Sequence, residues 1–320
     1  MAGSRSVVIA ALVANGAIAV LKFFAFLASG SPSMLSEAYH SVSDTGNQVF
    51  LLIGIRYSER SATRSHPFGY GKAQFFYSFL VSVLLFGIAG WESLKHGYEA
   101  VTAEGHGGGA SDVVIAGVDF TALVPLSTFQ LSVGVLVAAI AFESYAFRKA
   151  SGELRSQIDE YGWSGIREAF RETSDVTTLT AYTEDAVALG GAAIALVGVI
   201  ASHYTGNEIY DAVTALLIGA LLMTFALALA WENKRLLLGE SLSSSDEDRL
   251  RAVATDHDGV VGVDGLRSMF VGPATALVAA DVSFDPTLDA DEIDARIEAM
   301  EADLKGVDDR VSTVYIEAET

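Results

Sequence analysis

Cysteine is absent from the chain, which removes disulfides and thiolate metal ligands at one stroke. Any metal must therefore be held by imidazole, carboxylate, backbone oxygen or water. Histidine is scarce as well: His40, His66, His96, His106, His203 and His257 are the whole supply. Basic residues number 20 against 40 acidic ones, and a net charge of −20 argues against nucleic acid as a partner. No small-residue cleavage pattern follows a short apolar core after Met1, so no cleavable signal peptide is expected.

What the chain has in abundance is apolar sequence. Hydrophobic residues make up 51% of its 320 positions and the mean hydropathy is positive, which is high for a soluble domain. Six segments, roughly residues 7–29, 34–57, 75–98, 126–147, 182–203 and 209–231, are long enough to cross about 30 Å of hydrocarbon. Their connections alternate in character. Arg56, Arg60, Arg64 and Lys72 follow the second segment; Arg148, Lys149, Arg155, Arg167 and Arg171 follow the fourth; Lys234 and Arg235 follow the sixth. The other links carry no Lys or Arg, and Lys95 at the end of the third segment is the single stray. Basic loops stay on the cytoplasmic side, so the expectation is a multi-pass protein of the cell membrane with both termini cytoplasmic.

Composition changes after residue 240, dividing the chain into a transmembrane domain, 1–240, and a cytoplasmic domain, 241–320. From Leu236 to Thr320 there are 20 acidic residues and 6 basic ones, a net of −14, which reads as a solvated surface or as a sink for cations near a pore mouth. Ser243 to Ser245 cap a polar helix near 246–255. Residues 261–271 and 275–284 alternate as two strands around the turn signal Gly272-Pro273. Ile293, Ile297, Met300 and Leu304 mark a second helix, and 311–316 is a last strand. The order αββαβ suits a small antiparallel sheet with helices on one face.

The second segment carries Glu37, His40 and Asp44. Ionisable groups at membrane depth are costly and mark a site by default. His40 and Asp44 are four apart and share one helix face, half of a shell for a divalent cation. The fifth segment brings Glu184 and Asp185. Adjacent helical residues point about 100° apart, so the two cannot face one cation equally; Asp185 is taken as the ligand. Glu184 is a second ligand, a proton carrier or an ion-pair partner. A plain interhelical hydrogen bond remains the bland alternative for His40 and Asp44. Three or four such N/O ligands suit Zn²⁺, and a set richer in oxygen also accepts Mn²⁺, Fe²⁺ or Co²⁺. Glu37 either completes the shell, as Glu184 or water also could, or lies near the outer interface. Lys22 is read as snorkelling, with counter-ion to the acids as the alternative. Asn15 and Asn47 are read as packing contacts, Asp211 as a cap or mouth residue, His66 as a loop-folding residue, and His106 as solvated in a Gly-rich loop.

These features together resemble the cation diffusion facilitator family. The resemblance rests on His40-x-x-x-Asp44 in the second of six spans, the run from His66 to Lys72 after it, and the αββαβ tail. The strings 40–48, 205–211 and 232–240 are similar to the zinc transporter 9 subgroup. The resemblance implies an all-α six-helix transmembrane bundle with a C-terminal α+β domain of metallochaperone, ferredoxin-like type. It also implies a homodimer that exports a divalent cation, foremost Zn²⁺, by metal/proton antiport with alternating access. His40, Asp44 and Asp185 fall on the family's transport positions. Three positions depart from its pattern: Ala181 stands where many relatives have a fifth-span His, Tyr70 replaces the second His of a loop pair, and His257 alone remains in the tail. The implied partners are the cation, protons and the lipid bilayer, with no resident cofactor and no enzymatic activity. The alternatives are a Mn²⁺, Fe²⁺ or Co²⁺ transporter on the same scaffold, and a non-transporting membrane scaffold.

Overall fold

The computed structural model of the chain describes residues 2–102, 114–115, 118–119, 127–172 and 176–319. They form two compact units, residues 1–53 with 77–231 and residues 54–76 with 232–320.

The first unit is built from helices. α1 is Ala2–Ser29, α2 Pro32–Ser58, α3 Ala73–Leu84 and α4 Trp91–Thr102, the last two joined without a break by a π-helical turn, Leu85–Gly90. A two-residue hairpin, β1 Val114–Ile115 and β2 Val118–Asp119, precedes α5 Thr128–Tyr161, α6 Ile166–Glu172, α7 Val176–Thr205 and α8 Ile209–Leu238. α5 starts at a capping box between Ser127 and Gln130 and ends where Gly162 turns left-handed at φ 68°. It runs well past the apolar segment, so the first part of the charged 151–174 link is continuous helix. α6 follows within the same charged link. The Gly-rich loop with His106 lies outside the described residues.

Among the described residues four helical stretches are long and apolar enough to cross a membrane: Ala73–Thr102, Thr128–Tyr161, Ala181–Thr205 and Ile209–Leu238. The apolar part of α1 that qualifies, Asn15–Ser29, is shorter. α2 is long enough, but Glu37, His40, Asp44 and their polar neighbours dilute its hydropathy.

Burial in this unit is inverted relative to a soluble protein. Leu21 and Leu217 are 54% and 53% exposed while Lys22 and Glu37 are 0% exposed. Apolar side chains face outward, as lipid contact requires, and polar groups face the interior. Between them lies a packed core that includes Met34, Leu136, Val187, Ile218 and Leu222. α4 and α8 approach closely at Gly97 and Gly219. A Cβ at Gly97 would lie 2.8 Å from Leu216 N, and one at Gly219 would lie 2.7 Å from Leu94 N. Small residues permit that backbone approach in membrane bundles.

The second unit holds α9 Ser244–Thr255, β3 Val260–Gly272, β4 Thr275–Phe284, α10 Ala290–Val307 and β5 Val311–Glu319. The element types and order are those expected, but the sheet is mixed. β3 and β4 form an antiparallel hairpin with Val263 opposite Val282. β5 pairs parallel to β4, with Val278 opposite Val314. The cause is α10, which carries the chain back to the starting end of β4 before β5 begins, so β5 runs with it. Val278, Ala280, Val282 and Phe284 of β4, Leu250 of α9 and Met300 and Leu304 of α10 are among the buried residues of this unit. The loop after α2 belongs here too. Gly71 sits against the β3–β4 turn, where a Cβ would come 2.5 Å from Val271 O. His66 stacks on Tyr70, ring centroids 4.3 Å apart.

Arg310 ties the two ends of this unit together. Its Nη2 lies 2.6 Å from Asp246 Oδ2 and 2.5 Å from Asp308 Oδ2. Burial pushes both aspartates up, but hydrogen bonds outweigh it, from Arg249, Arg310 and Ser243 at Asp246 and from Arg310 at Asp308. Both carboxyls are held below the usual aspartate range. The depressed values mean that this contribution to stability is present above the ordinary aspartate pKa of about 3.9 and is lost as pH falls through the folded values. Arg310→Met is therefore expected to cost about 3 kcal/mol, the low end for an ion pair broken on one side. It should also flatten the acid limb of stability below about pH 4. Hydrogen exchange of the β3–β5 amides in the full-length protein reads both effects; unchanged protection in the variant would discount the network.

Candidate functional site

The site grows from the polar face of α2. Glu37, His40, Asp44 and Asn47 recur at three- and four-residue spacing, so they stack along one side of the helix. Glu37 and His40 are fully buried and Asp44 is 8% exposed. His40 Nδ1 lies 3.5 Å from Asp44 Oδ1, beyond a hydrogen bond. Both ring nitrogens of His40 are buried and without a hydrogen-bond partner. An imidazole in that condition leaves unmade contacts that a cation or a proton would satisfy.

α7 faces this stripe. Asn47 Nδ2 donates to Glu184 Oε1 at 2.8 Å, and the Asp44 and Glu184 carboxyls are within hydrogen-bonding reach of each other. Two bare carboxylates that close repel each other, and a cation between them relieves the repulsion. Asp185 lies in the electrostatic field of Glu184 and Glu143 and, among the described residues, makes no hydrogen bond or ion pair with His40 or Asp44. The contacts thus run in a chain, His40 to Asp44 to Glu184 to Asn47. Among the described residues they do not converge as three or more ligands on one point. Here it is Glu184 that meets Asp44 and Asp185 that stands on the flank. Nitrogen from His40 and oxygen from the carboxyls form a donor set suited to a first-row dication.

Three readings change in this conformation. Lys22 does not snorkel: it is fully buried, and its Nζ lies 2.7 Å from Glu37 Oε2. Glu37 is accordingly not at the interface, and its Oε1 rests on α7, 2.6 Å from where a Cβ on Gly191 would stand. Asn47 is more than a packing contact, since it holds Glu184. Asp211 of α8 is buried and accepts from Ser33 Oγ at the start of α2. Sequence reasoning passed over one acid altogether. Glu143 of α5 is 7% exposed and shares the field of Lys22, Asp185 and Glu37. The signal available was a lone carboxylate inside an apolar span.

Helices with lipid-facing apolar sides and buried imidazole and carboxyl groups define a polytopic membrane protein with the donors of a cation site inside it. The cation efflux transmembrane domain matches residues 8–238, and the chain belongs to that family, the cation diffusion facilitators. It is similar to the proton-coupled zinc antiporter SLC30A9, mitochondrial, of Homo sapiens, at 28% identity over 283 residues, 88% of this chain and 46% of that one. It is similar also to the magnetosome protein MamM of Paramagnetospirillum magneticum, at 27% identity over 318 residues, 99% of this chain and 88% of that one. A solved nickel form of the MamM C-terminal domain is 24% identical and covers 24% of this chain and 98% of that one, at a TM-score of 0.23. The chain spans about half the length of the curated relatives it matches first, 57% and 46%. The resemblance to the zinc transporter 9 subgroup thus stands beside a relative of that kind.

Asn47→Leu removes the donor that orients Glu184. It is expected to weaken Zn²⁺ binding by about tenfold, the usual cost of losing a partner that holds a ligand. Glu184→Ala should weaken binding more than Asp185→Ala. Calorimetric titration of the purified protein in detergent measures all three; equal affinities in wild type and Asn47→Leu would remove Glu184 from the site.

Proposed function

We propose that this protein is a divalent-cation efflux transporter that exchanges Zn²⁺ for protons by alternating access. The observation that carries this reading is His40, buried with both ring nitrogens unpartnered, beside carboxyls from two separate helices. His40, Asp44 and Glu184 would take the cation together, with Asp185 completing the set as the bundle closes. Two carboxylates neutralise a dication at low dielectric, and the emptied site takes protons back because its acids otherwise repel. Metal entry expels those protons, and their return releases the metal. That linkage is the physical basis of antiport.

The same reading takes α1, α2, the continuous Ala73–Thr102 helix, α5, α7 and α8 as six spans, α2 crossing despite its polar face because that face is turned inward. The alternation of basic and non-basic loops supports cytoplasmic termini in the cell membrane. Assembly as a homodimer goes with the family. The name of the human relative, a proton-coupled zinc antiporter, supports zinc as the first cation to test, and the oxygen-rich donor set keeps Mn²⁺, Fe²⁺ and Co²⁺ in the panel.

Purified protein in liposomes is expected to move Zn²⁺ when a pH gradient is imposed, at a rate that rises with the gradient. The variant Asp44→Ala with Asp185→Ala should abolish that flux. Intact flux in the double variant would overturn the site; no gradient-driven flux of any of these cations in the wild type would overturn the function.

A further inference from the structure

Asp211 takes no part in the exchange described above. It stands in the first turn of α8, beside the start of α2 and at the far end of the α2 stripe from Glu184. It is 5% exposed and accepts a hydrogen bond from Ser33 Oγ, whose residue is fully buried in the first turn of α2. Ser31 Oγ lies 3.1 Å from Ser33 Oγ and accepts from the Met34 N–H at 3.2 Å, so the beginning of the helix fixes the hydroxyls around the carboxyl. One turn further along α8, Thr214 Oγ1 donates to Asp211 O at 2.8 Å. The Thr214 side chain lies over Gly198 of α7, where a Cβ would stand 2.8 Å from Thr214 Cγ2.

The two sides of α8 are held in different ways. Towards α4 the contact is with backbone: Leu216 N faces Gly97, and Gly219 faces Leu94 N. Backbones that approach so closely cannot slide without collision, so α4 and α8 move together. Towards α2 and α7 the contact is by side chains: Asp211 on Ser33, Thr214 over Gly198, and Ile218 beside Gly191. Side chains can repack as helices shear past one another. Burial along α2 runs in the same sense. Ser33, Ser36 and Glu37 are fully buried, whereas Asn47, Glu184 and Asp185 at the other end are partly exposed. The stripe is closed at the end where Asp211 sits and partly open at the end where Glu184 sits.

We propose that Asp211 is a positioning residue of the exchange: its hydrogen bond with Ser33 latches α8 to the outer end of α2, and release of that bond opens the site outwards. While the bond holds, the α4–α8 pair covers Ser36, Glu37 and His40. Once it breaks, water reaches both partners, so the carboxyl and the hydroxyl are satisfied in either state and the contact can be made and lost in each cycle. The inference rests on the transport reading, from which it takes the sides of the membrane, and adds to it the outer gate.

The chain has no cysteine, so a single introduced thiol reports alone. The test uses intact cells that express the full-length protein and a membrane-impermeant maleimide added outside. Asn207→Cys, in the exposed link before α8, should react readily and fixes the outer face. Ser36→Cys, on the closed part of the stripe, should react slowly. Adding Asp211→Ala to Ser36→Cys is expected to speed the reaction at least tenfold, a shift of about 1.4 kcal/mol, the size of one net hydrogen bond. Asp211→Asn, which keeps an accepting oxygen, should stay near the slow rate. Ser93→Cys, fully buried on the side of α4 that carries Gly90 and Gly97, should remain unreactive in all of them. An unchanged rate at Ser36→Cys with Asp211→Ala overturns the proposal. An equal gain at Ser93→Cys does so too, because it shows a loosened bundle and not an opened gate. Should Asp211→Ala fail to reach the membrane, Ser33→Ala removes the same bond from the other side, and no gain there is equally fatal. If Asn207→Cys reacts only after lysis, the sides of the membrane in the transport reading are wrong; a reactive Asn207→Cys with Ser36→Cys unmoved sinks this inference alone.

Discussion

Charge without water is the constraint around which the membrane unit is arranged. An ion taken into a low-dielectric interior costs several kcal/mol even after relaxation, so each one must find an opposite charge, a proton or a strong donor. Lys22 finds Glu37, Glu184 finds Asn47, Asp44 finds Glu184, and Asp211 finds Ser33. These contacts link α1 to α2, α2 to α7, and α2 to α8, so the order of the helices around α2 is the order in which its polar residues are satisfied. Apolar packing fills the space between but is close to indifferent among bundle arrangements, since lipid tails solvate Leu as well as another helix does.

That dependence explains why α2, unlike α5, α7 and α8, holds no stretch apolar enough to mark a membrane span by hydropathy alone. A helix that spends its inward face on Glu37, His40, Asp44 and Asn47 loses the hydropathy that marks a span, and keeps its place in the membrane only through partners on its neighbours. The steric side of the bargain appears on α7, where Gly191 leaves room for the Glu37 carboxylate. Any side chain there would push into the acid. Gly97 and Gly219 perform the same service for backbone against backbone on α4 and α8.

Much of this was legible before the structure. Four-residue spacing placed His40 and Asp44 on one face, and a second acidic pair in an apolar segment brought α7 to it. Spacing on a single helix gives direction but not depth or rotation relative to another helix, which leaves the order of Asp185 and Glu184 around a cation open and is why Asn47 was read as packing. Glu143 escaped because its segment was judged by length and average hydropathy, and one carboxylate hardly moves an average. In the tail, capping residues and strand alternation located every element, from Ser243 at the start of α9 to Val311 at the start of β5. The strand directions were misjudged, although the helix between β4 and β5 already held the answer: a crossover helix returns the chain to the same end of a sheet, and only a parallel partner can follow.

Lys22 shows how a membrane sequence could be read more closely. Ala19, Lys22, Ala25 and Ala28 recur every three residues, and all four are buried, while Val20, Leu21, Phe23 and Phe24 between them are exposed. Small residues mark the side of a membrane helix that meets other helices, and bulky apolar ones mark the side that meets lipid. A lysine within the small stripe therefore points into the bundle, where there is no headgroup to reach and an acid has to receive it. Hydropathy alone leaves snorkelling open, because it asks how apolar the neighbours are. The size pattern closes that option by asking where they face, and with it the fully buried Glu37 of α2 follows as the partner.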